Sequence, residues 1–351
     1  MSNKSKQITA VDLFCGTGGL THGLLLSGVK VTAGYDIDKN VMYAYEHNND
    51  AKFYHKSVED ISAQEIKWHL SSQFTLLAGC APCQPFSQLN NGKSIRRVNW
   101  SLLYDFSRLV ETVLPTFVTM ENVPQIINHK VYNDFINSLK INNYYIFQKV
   151  VSCADYNVPQ RRKRLVVLAS RLSPISLISP TRNPENYKTV RETIGSLPPI
   201  AAGETSIIDP LHSASTVSPL NLKRLQHSKP NGSWLDWPKE LVAPCHRRQN
   251  TNNYFSAYGR MAWDEPAPTI TTGCHGISHG RFGHPEQDRA LSFREAALLQ
   301  SFPADYAFFP PNHPFNKAIV ARMIGNAVPV ELGRAIGKSF LRHLEEVYAK
   351  V

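Results

Sequence analysis

The sequence predicts an α/β fold in which a doubly wound, Rossmann-like sheet is followed by a smaller, loop-rich β domain. Three observations support this prediction. The chain begins with a strand, a glycine-rich turn and a helix; acidic residues follow the next strands; and a rigid Pro-Cys-Gln turn follows a further buried strand. Because ligands bind at the carboxyl ends of the strands in open α/β sheets, we expect these features at one edge.

The first predicted strand and helix flank a glycine-rich turn. Residues 8–14 are an apolar run that predicts a strand, residues 15–19 form the turn, and residues 20–27 begin a helix. A glycine turn that leads into a helix N-terminus is typical of nucleotide-binding folds. The dinucleotide fingerprint needs a third glycine, and Thr21 occupies that position, so an NAD site is disfavoured.

Acidic residues follow two further predicted strands. Residues 30–35 predict the second strand, which ends in Asp36, Ile37 and Asp38, and Asp60 follows a short third strand. A carboxylate at the end of the second strand can accept hydrogen bonds from ribose hydroxyls, and Asp60 could accept one from an adenine amino group. A single acid of this kind is more often a solvated loop residue or a helix cap. Three of them beside a glycine turn favour an adenosine-containing cofactor.

A cysteine flanked by prolines follows the apolar run at residues 74–78. In residues 79–87, Gly-Cys-Ala-Pro-Cys-Gln-Pro-Phe-Ser, the prolines stiffen the backbone around Cys83. This placement at a strand end predicts a nucleophile. Two alternatives stay open, a redox-active pair of Cys80 with Cys83 and a buried structural cysteine. A zinc site is disfavoured because the other cysteines supply no second pair at ligand spacing.

The charge balance of the chain is basic. Lys and Arg number 38 and Asp and Glu 28, which gives a formal net charge of +10 over 351 residues. An excess of this size favours a polyanionic partner, although proteins that bind no nucleic acid also have it. The polar amino terminus has no signal-peptide layout, and no apolar stretch is long enough to span a membrane. We therefore expect a soluble, cytoplasmic protein that needs no metal.

Five segments occur in order along the chain: residues 12–19, Pro82-Cys83-Gln84, Glu121-Asn122-Val123, residues 160–164 and residues 325–329. Together they resemble the ordered motifs of the cytosine carbon-5 DNA methyltransferases, of the bacterial restriction-modification type. The resemblance implies S-adenosylmethionine as cofactor and double-stranded DNA as substrate, a monomer, and any cognate restriction endonuclease as a separate protein. It also implies a catalytic and cofactor-binding domain over residues 1–172, a target-recognition domain over 173–314, and a C-terminal helix over 315–351 that returns to the catalytic domain.

The chemistry implied by the resemblance explains the residue types. Carbon 5 of cytosine becomes nucleophilic only after a thiolate adds to carbon 6, and Cys83 would supply that thiolate. A free thiol is only about 3% ionised at pH 7, and lowering its pKa to near 7 corresponds to roughly 2 kcal/mol. Glu121 would donate to ring nitrogen 3 and accept from the exocyclic amine, Arg164 would contact the cytosine carbonyl, and Arg162 would orient Glu121.

The resemblance also implies the binding residues. The cofactor-binding residues would be Phe14, Gly16, Gly18, Gly19, Asp36, Ile37, Asp60, Ile61, Pro82, Leu102, Asn326 and Val328. The DNA-binding residues would be Gln84, Ser87, Arg97, Arg247, Arg260 and Thr269. Of these, Thr269 matches a phosphate-contacting position of the family, whereas Arg247 and Arg260 are proposed as basic residues of the loop-rich segment. The target cytosine lies inside a duplex and must be flipped out, at a cost of a few kcal/mol. We expect residues 88–100 to form a lid that closes on the DNA.

The amino-acid composition and the hydrophobic periodicity of the sequence change after residue 173. Prolines become frequent and helical periodicity fades, which predicts a loop-rich β domain with short strands. Residues 294–303 match a late family motif and predict a helix, and residues 320–344 predict a further one. Two alternative functions stay open, methylation of transfer RNA by the same chemistry and a catalytically silent DNA-binding module. The long segment before residue 294 favours DNA, and the complete set of catalytic residues disfavours a silent module.

Overall fold

The computed structural model describes residues 7–82, 101–247, 255–311, 313 and 316–349. Its centre is a seven-stranded sheet in the order β3-β2-β1-β4-β5-β7-β6. The strands are β1 (Ile8–Leu13), β2 (Lys30–Asp36), β3 (Lys52–His55), β4 (Phe74–Gly79), β5 (Phe117–Asn122), β6 (Tyr145–Ser152) and β7 (Lys163–Ser170). The first five pair in parallel, and β7 is antiparallel to both β5 and β6. The doubly wound sheet is thereby confirmed.

Helices cover both faces of the sheet. In the described residues they are α1 (Gly19–Ser27), α2 (Met42–Asn48), α3 (Ala63–His69), α4 (Ser101–Val113), α5 (Lys130–Ile141), α6 (Val190–Ile194), α7 (Pro219–His227), α8 (Phe293–Leu299), α9 (Lys317–Asn326) and α10 (Val330–Tyr348). Alternate residues of β1 separate the two cores. Val11 packs with α3, α4 and α5, whereas Ala10 packs with α1 and α10, as the period of two in a strand requires. None of these helices is both long and apolar enough to cross a membrane.

The strand order reverses between β1 and β4. β1 lies next to β2 on one side and β4 on the other, so the loops that leave β1 and β4 diverge to opposite faces. The Cys80 amide donates to the Leu13 carbonyl at 3.3 Å, which keeps the start of the β4 loop beside the end of β1. This topological switch point is where open α/β sheets bind ligands.

The segment after residue 173 is loop-rich, but its β structure is sparser than we predicted. Within the part of it that the structure describes, pairing is limited to isolated bridges such as Thr205 with Ser213 and Arg260 with Gly283. Prolines lack the amide that a ladder needs. The segment is held instead by short helices, 3₁₀ turns and buried side-chain hydrogen bonds.

The carboxyl terminus forms two helices where residues 320–344 predicted one. α9 ends at Asn326 and α10 begins at Val330, with Pro329 at the N-cap. Ala327, the C-cap of α9, is extended (φ −61°, ψ 144°), and Pro329 has no amide to continue a helix and disfavours the helical region for the residue before it. The break places Asn326 and Val328 at helix ends rather than inside a helix.

The three predicted domains stay a prediction, and packing crosses their boundary. The core that contains Phe293 of α8 also contains Val41 and Tyr45, from the region of α2. The Tyr306 hydroxyl donates to the Thr17 carbonyl at 2.5 Å. Residues before 315 therefore already pack against the sheet domain.

Candidate active site and cofactor pocket

The turn after β1 is braced by the end of β2. Phe14, Gly16 and Gly18 have φ values of 58°, 51° and 91°, which glycine adopts readily and phenylalanine rarely. The Gly16 amide donates to Asp36 Oδ2 at 2.9 Å, and the Asp38 amide donates to Asp36 Oδ1 at 2.8 Å. Burial raises the pKa of the Asp36 carboxyl, and these amides oppose the rise. The structure thus brings the glycine turn and the second-strand acid together.

Two apolar residues near the strand ends differ in exposure. Ile37 is 68% exposed directly after β2, so its side chain is available to a ligand. Ile61 has its side chain in the core, and its carbonyl accepts from Arg108 Nη1 at 3.1 Å. Asp60 is exposed at the end of the 3₁₀ turn Val58–Asp60, which follows β3. Arg108 of α4 also donates to the Val58 carbonyl at 3.0 Å, so α4 is held against this turn. Leu102, in the first turn of α4, is partly buried.

The break between α9 and α10 meets the same edge. A Cβ on Gly19 would lie 2.3 Å from the Val328 carbonyl oxygen, so only glycine allows this approach. Arg322 of α9 contacts Asp38 with an Nη2 to Oδ2 distance of 2.5 Å. Asn326 is exposed at the end of α9. Residues near both ends of the chain therefore converge beside the glycine turn.

The residues at this edge fit an adenosine-containing cofactor. Apart from Gly16 and its two neighbours in the chain, no described atom lies within 4 Å of the position that a Cβ on Gly16 would take. Among the described residues, the buried Asp12 Oδ1 and Thr17 Oγ1 have no hydrogen-bond partner. Open space at a glycine turn, an exposed apolar side chain and unpartnered polar side-chain atoms are what a nucleoside with polar substituents requires.

Asp12 and Thr21 were not predicted as site residues. Asp12 is buried in β1, and burial raises the pKa of its carboxyl to about 7, with Asp36 adding to the rise. Thr21, which disfavours NAD, donates from Oγ1 to Asp12 Oδ2 at 2.7 Å. The apolar sequence around Asp12 indicates its burial, but nothing local indicates its hydrogen-bond partner.

Glu121 is the centre of the candidate catalytic site. It is 2% exposed, one residue before the end of β5. Arg164 Nε lies 2.8 Å from Oε1, a contact of opposite charges in which the N–H is not aligned for a hydrogen bond. The register explains the contact: Asn122 pairs with Leu165, so Arg164 lies just beyond the end of β5. The structure brings these two predicted residues together.

Arg162 has different partners from those we predicted. Its Nη1 donates to the Ile270 carbonyl at 2.9 Å, and its Nη2 lies 3.5 Å from the Gly325 carbonyl oxygen. Burial lowers the pKa of Arg162 to about 10, and the charge of Arg164 lowers it further, while Glu121 opposes the change. The predicted orienting contact to Glu121 is thus made by Arg164. The reason is that β7 begins at residue 163, and hydrogen bonds to residues 270 and 325 hold Arg162 before the strand.

The loop that leads to the predicted nucleophile starts beside Glu121. Asn122 Nδ2 donates to the Ala81 carbonyl at 3.1 Å, and the Cys80 Sγ donates to Glu121 Oε2 at 3.0 Å. Neither contact was predicted, although Asn122 is adjacent to Glu121 in sequence. Pro82 is exposed. Cys83, Gln84, Ser87, Arg97 and the predicted lid at residues 88–100 lie outside the described residues.

The predicted DNA contacts after residue 173 have different surroundings. Arg247 is exposed, and its guanidinium donates to the Val242 and Lys239 carbonyls at 3.1 and 2.9 Å. Thr269 Oγ1 donates to the Arg161 carbonyl at 3.2 Å, at the edge of the catalytic site. These positions stay predictions.

Arg260 is a structural residue in this fold. Its side chain is buried and donates to the carbonyls of Leu225, Ser228, His284 and Gln287, and it contacts the Asp288 carboxylate. These partners occupy all three guanidinium nitrogens. We therefore remove Arg260 from the DNA contacts. The prediction was wrong because sequence alone does not distinguish a buried arginine from an exposed one.

The described residues contain no cluster of three or more His, Cys, Asp or Glu side chains that could hold a metal ion. Cys80, which is partly buried, takes part in no disulfide. The contacts that the structure describes at the site are made by backbone amides, carboxylates, a guanidinium group and the Cys80 thiol.

Comparison with known proteins shows a match over almost the whole chain. A family profile described as C-5 cytosine-specific DNA methylase matches residues 8–342. The Type II methylase M.HgiDII of Herpetosiphon aurantiacus is 49% identical over 344 residues, covering 97% of both chains. The Type II methyltransferase M1.BsuMI of Bacillus subtilis (strain 168) is 31% identical over 363 residues, covering 96% of this chain and 81% of that protein.

Solved structures with low sequence identity share the fold. A putative DNA modification methyltransferase encoded within a prophage of E. coli superposes with a TM-score of 0.74 at 21% identity, covering 97% of this chain and 100% of that one. The S. pombe Dnmt2 methyltransferase superposes with a TM-score of 0.66 at 16% identity, with the same coverage. At these identities the likeness shows the fold alone.

Proposed function

Because the chain belongs to the C-5 cytosine-specific DNA methylase family, we propose that Cys83, Glu121 and Arg164 carry out its reaction on a flipped-out cytosine, with S-adenosylmethionine as cofactor. The enzyme is a DNA cytosine-5 methyltransferase. One observation supports these residue roles above the others. Glu121 is buried between Arg164 and the first residues of the loop that leads to Cys83.

The cofactor would occupy the edge formed by the glycine turn. When bound, it supplies an electrophilic methyl group on a sulfonium. Asp36 would accept from the ribose hydroxyls, since each of its oxygens already takes one backbone amide and retains acceptor capacity. Ile37 and Phe14 would pack on the adenine, and Asp60 would accept from its amino group. The backbone would approach the cofactor closely at Gly16, Gly18 and Gly19. The rest of the cofactor pocket would be lined by Pro82, Leu102, Asn326 and Val328. Ile61 would lie beneath the pocket, in the core.

Glu121 would act on the cytosine ring. Addition of the Cys83 thiolate to carbon 6 places negative charge in the ring, and a proton held by Glu121 at nitrogen 3 meets that charge. Arg164 would contribute positive charge beside the Glu121 carboxyl and reach the cytosine carbonyl. Arg162 would hold the start of β7 against residues 270 and 325 and so position Arg164.

The substrate would be a DNA duplex, and the enzyme would work in the cytoplasm as a monomer. Arg260 is excluded from the DNA contacts. The DNA contacts that we propose are Gln84, Ser87, Arg97, Arg247 and Thr269. The relatives M.HgiDII and M1.BsuMI are named as Type II enzymes. We propose that this chain likewise protects a recognition sequence from a separate restriction endonuclease.

Bisulfite sequencing tests the substrate and the nucleophile together. Plasmid DNA from cells that express the wild-type chain should carry methylated cytosines in one short motif. DNA from cells that express Cys83→Ala at the same level should carry none, whereas Cys274→Ala, which removes a cysteine buried in another core, should leave the pattern intact. Methylation by the Cys83→Ala variant would overturn the assignment of the nucleophile. Unmethylated plasmid from a well-expressed wild-type chain would overturn the DNA substrate, and transfer RNA would then be assayed.

A further inference from the structure

Cys80 lies beside the candidate catalytic acid without belonging to the catalytic set. Its thiol donates to Glu121 Oε2 at 3.0 Å, whereas Arg164 approaches the other oxygen, Oε1, at 2.8 Å. The two contacts therefore reach opposite oxygens of one buried carboxyl. Cys80 is only partly buried, so its side chain lies at the boundary between the core and the open edge of the sheet.

The position of Cys80 is held by the frame of the sheet. Gly79, the residue before it, pairs with Leu13 of β1, and the Cys80 amide donates to the Leu13 carbonyl at 3.3 Å. On its other side, the Ala81 carbonyl accepts from Asn122 Nδ2 at 3.1 Å. A backbone hydrogen bond to β1 and a side-chain hydrogen bond from Asn122 of β5 thus hold the chain on both sides of the thiol. A donor held in this way has a defined direction toward Glu121.

The orientation of the Glu121 carboxyl matters for its proposed task. The terminal torsion of a glutamate side chain is broad, so a carboxyl held by one contact can still turn. Donation to nitrogen 3 and acceptance from the neighbouring amine require the two oxygens to face two adjacent positions of one ring. A second contact, at the other oxygen, restricts that rotation and reduces the reorganisation needed when cytosine enters.

We propose that Cys80 is a positioning residue that orients the Glu121 carboxyl through its thiol hydrogen bond. The proposal rests on the proposed role of Glu121. The thiol makes no bond to the cytosine and transfers no electrons. What it contributes is a donor at Oε2, which complements the charge of Arg164 at Oε1. A hydroxyl at the same place would also donate, whereas a methyl or isopropyl group would not.

Steady-state methyl transfer by three variants tests this role. Cys80→Ala removes the donor and leaves space, Cys80→Val removes the donor at similar volume, and Cys80→Ser keeps a donor. We expect kcat to fall about tenfold in Cys80→Ala and Cys80→Val, since tenfold corresponds to about 1.4 kcal/mol, which is within the range for one intramolecular hydrogen bond. Cys80→Ser should stay within about threefold of wild type. The KM values for plasmid DNA and for S-adenosylmethionine should not change in any of them.

The outcomes separate this inference from the proposed function. If Cys80→Ala and Cys80→Val both keep the wild-type kcat, or if Cys80→Ser is as slow as they are, the thiol does not act as a donor and the proposal is wrong. Loss of all turnover in Cys80→Ser would instead make Cys80 the nucleophile, which also overturns it. Thermal melting of each variant identifies any that is misfolded, and the pair of donor-free variants keeps the comparison valid if one is. Glu121→Gln tests the proposed function separately: full activity there would overturn the role of Glu121 itself.

Discussion

Asp12 illustrates how burial changes a single side chain. It lies in β1 below the glycine turn, and burial raises the pKa of its carboxyl to about 7. The hydrogen bond from Thr21 lowers that pKa but does not cancel the effect of burial, and Oδ1 has no partner among the described residues. The folded protein therefore holds a proton on Asp12 that the unfolded chain releases near the ordinary aspartate pKa of 3.8. Folding stability must then depend on pH.

The sign of this dependence follows from the raised pKa. Between about pH 4 and pH 7 the unfolded chain binds fewer protons at this site than the folded chain, so stability falls as pH rises through that window. A shift of this size corresponds to a penalty on the order of 4 kcal/mol above pH 7. We expect Asp12→Asn to remove this contribution.

Urea unfolding at pH 5 and pH 8 measures the difference. The difference in the free energy of unfolding, Asp12→Asn minus wild type, should become more positive by a few kcal/mol from pH 5 to pH 8. Thr21→Val is the matched control, because it removes the hydrogen-bond donor but keeps the titrating carboxyl. If wild type and Asp12→Asn show the same change with pH, Asp12 is ionised in the folded state.

The start of helix α8 depends on a buried ion pair. Ser292 caps it, and Glu295 completes a capping box. Glu295 is also paired through both oxygens with Arg289, at 2.7 Å for each contact. Burial alone would raise the pKa of Glu295, but the Arg289 guanidinium reverses the effect and holds that pKa below its usual value. The late motif thus stabilises a helix that packs in the core near α2.

Removing one partner of this pair should destabilise the protein more than removing both charges. Arg289→Met leaves Glu295 buried without its cation, and we expect the free energy of unfolding to fall by about 3–5 kcal/mol. The double variant Arg289→Met with Glu295→Gln should recover part of that loss, because no charge stays buried and the glutamine still accepts from Ser292. Guanidinium unfolding at pH 7 gives both values. A double variant less stable than Arg289→Met would contradict this account.

Across the whole molecule, the excess of basic residues serves two separate purposes. The net charge of +10 favours a phosphate backbone as partner. Some arginines, however, lie inside: Arg260 and Arg289 are buried and fully engaged with carbonyls and carboxylates. Among the arginines that the structure describes, exposed ones such as Arg247 can reach a phosphate, and these two cannot. The overall charge therefore overstates the number of phosphate contacts.

The salt dependence of DNA binding separates the two classes. Arg247→Ala should weaken binding of a duplex and reduce the slope of log K against log salt by about 1, as expected for one lost phosphate contact. Its unfolding midpoint should stay close to that of wild type, because the two hydrogen bonds that Arg247 loses are exposed. Arg260→Met should instead lower the unfolding midpoint. The Arg260→Met protein that stays folded should bind DNA with the same slope of log K against log salt as wild type. An unchanged slope in Arg247→Ala would remove that residue from the proposed contacts.

The segment after residue 173 contacts the catalytic site along a seam formed by residues 160–162 and 267–270. Gln160 accepts from the Ile270 amide at 3.0 Å and donates to Gln300 at 2.7 Å, and Arg162 donates to the Ile270 carbonyl. The motif at residues 160–164 predicts two active-site arginines. Because Arg162 is held in the seam by the Ile270 carbonyl, Arg164 is the one of the two that contacts Glu121. The partner of each arginine depends on where β7 begins.

The sequence by itself determined the strands that form the centre of the sheet, the glycine turn, the acid at the end of β2 and the catalytic motif order. These features are local: apolar runs bury both faces of a parallel strand, and glycine is needed where φ is positive. Only the tertiary structure decided that Arg164 contacts Glu121, that Cys80 donates to its other oxygen, that Arg260 is buried, and that Pro329 separates α9 from α10 beside Gly19. Those outcomes depend on strand register and on packing between residues far apart in the chain, and the same residue types would form other contacts in another register.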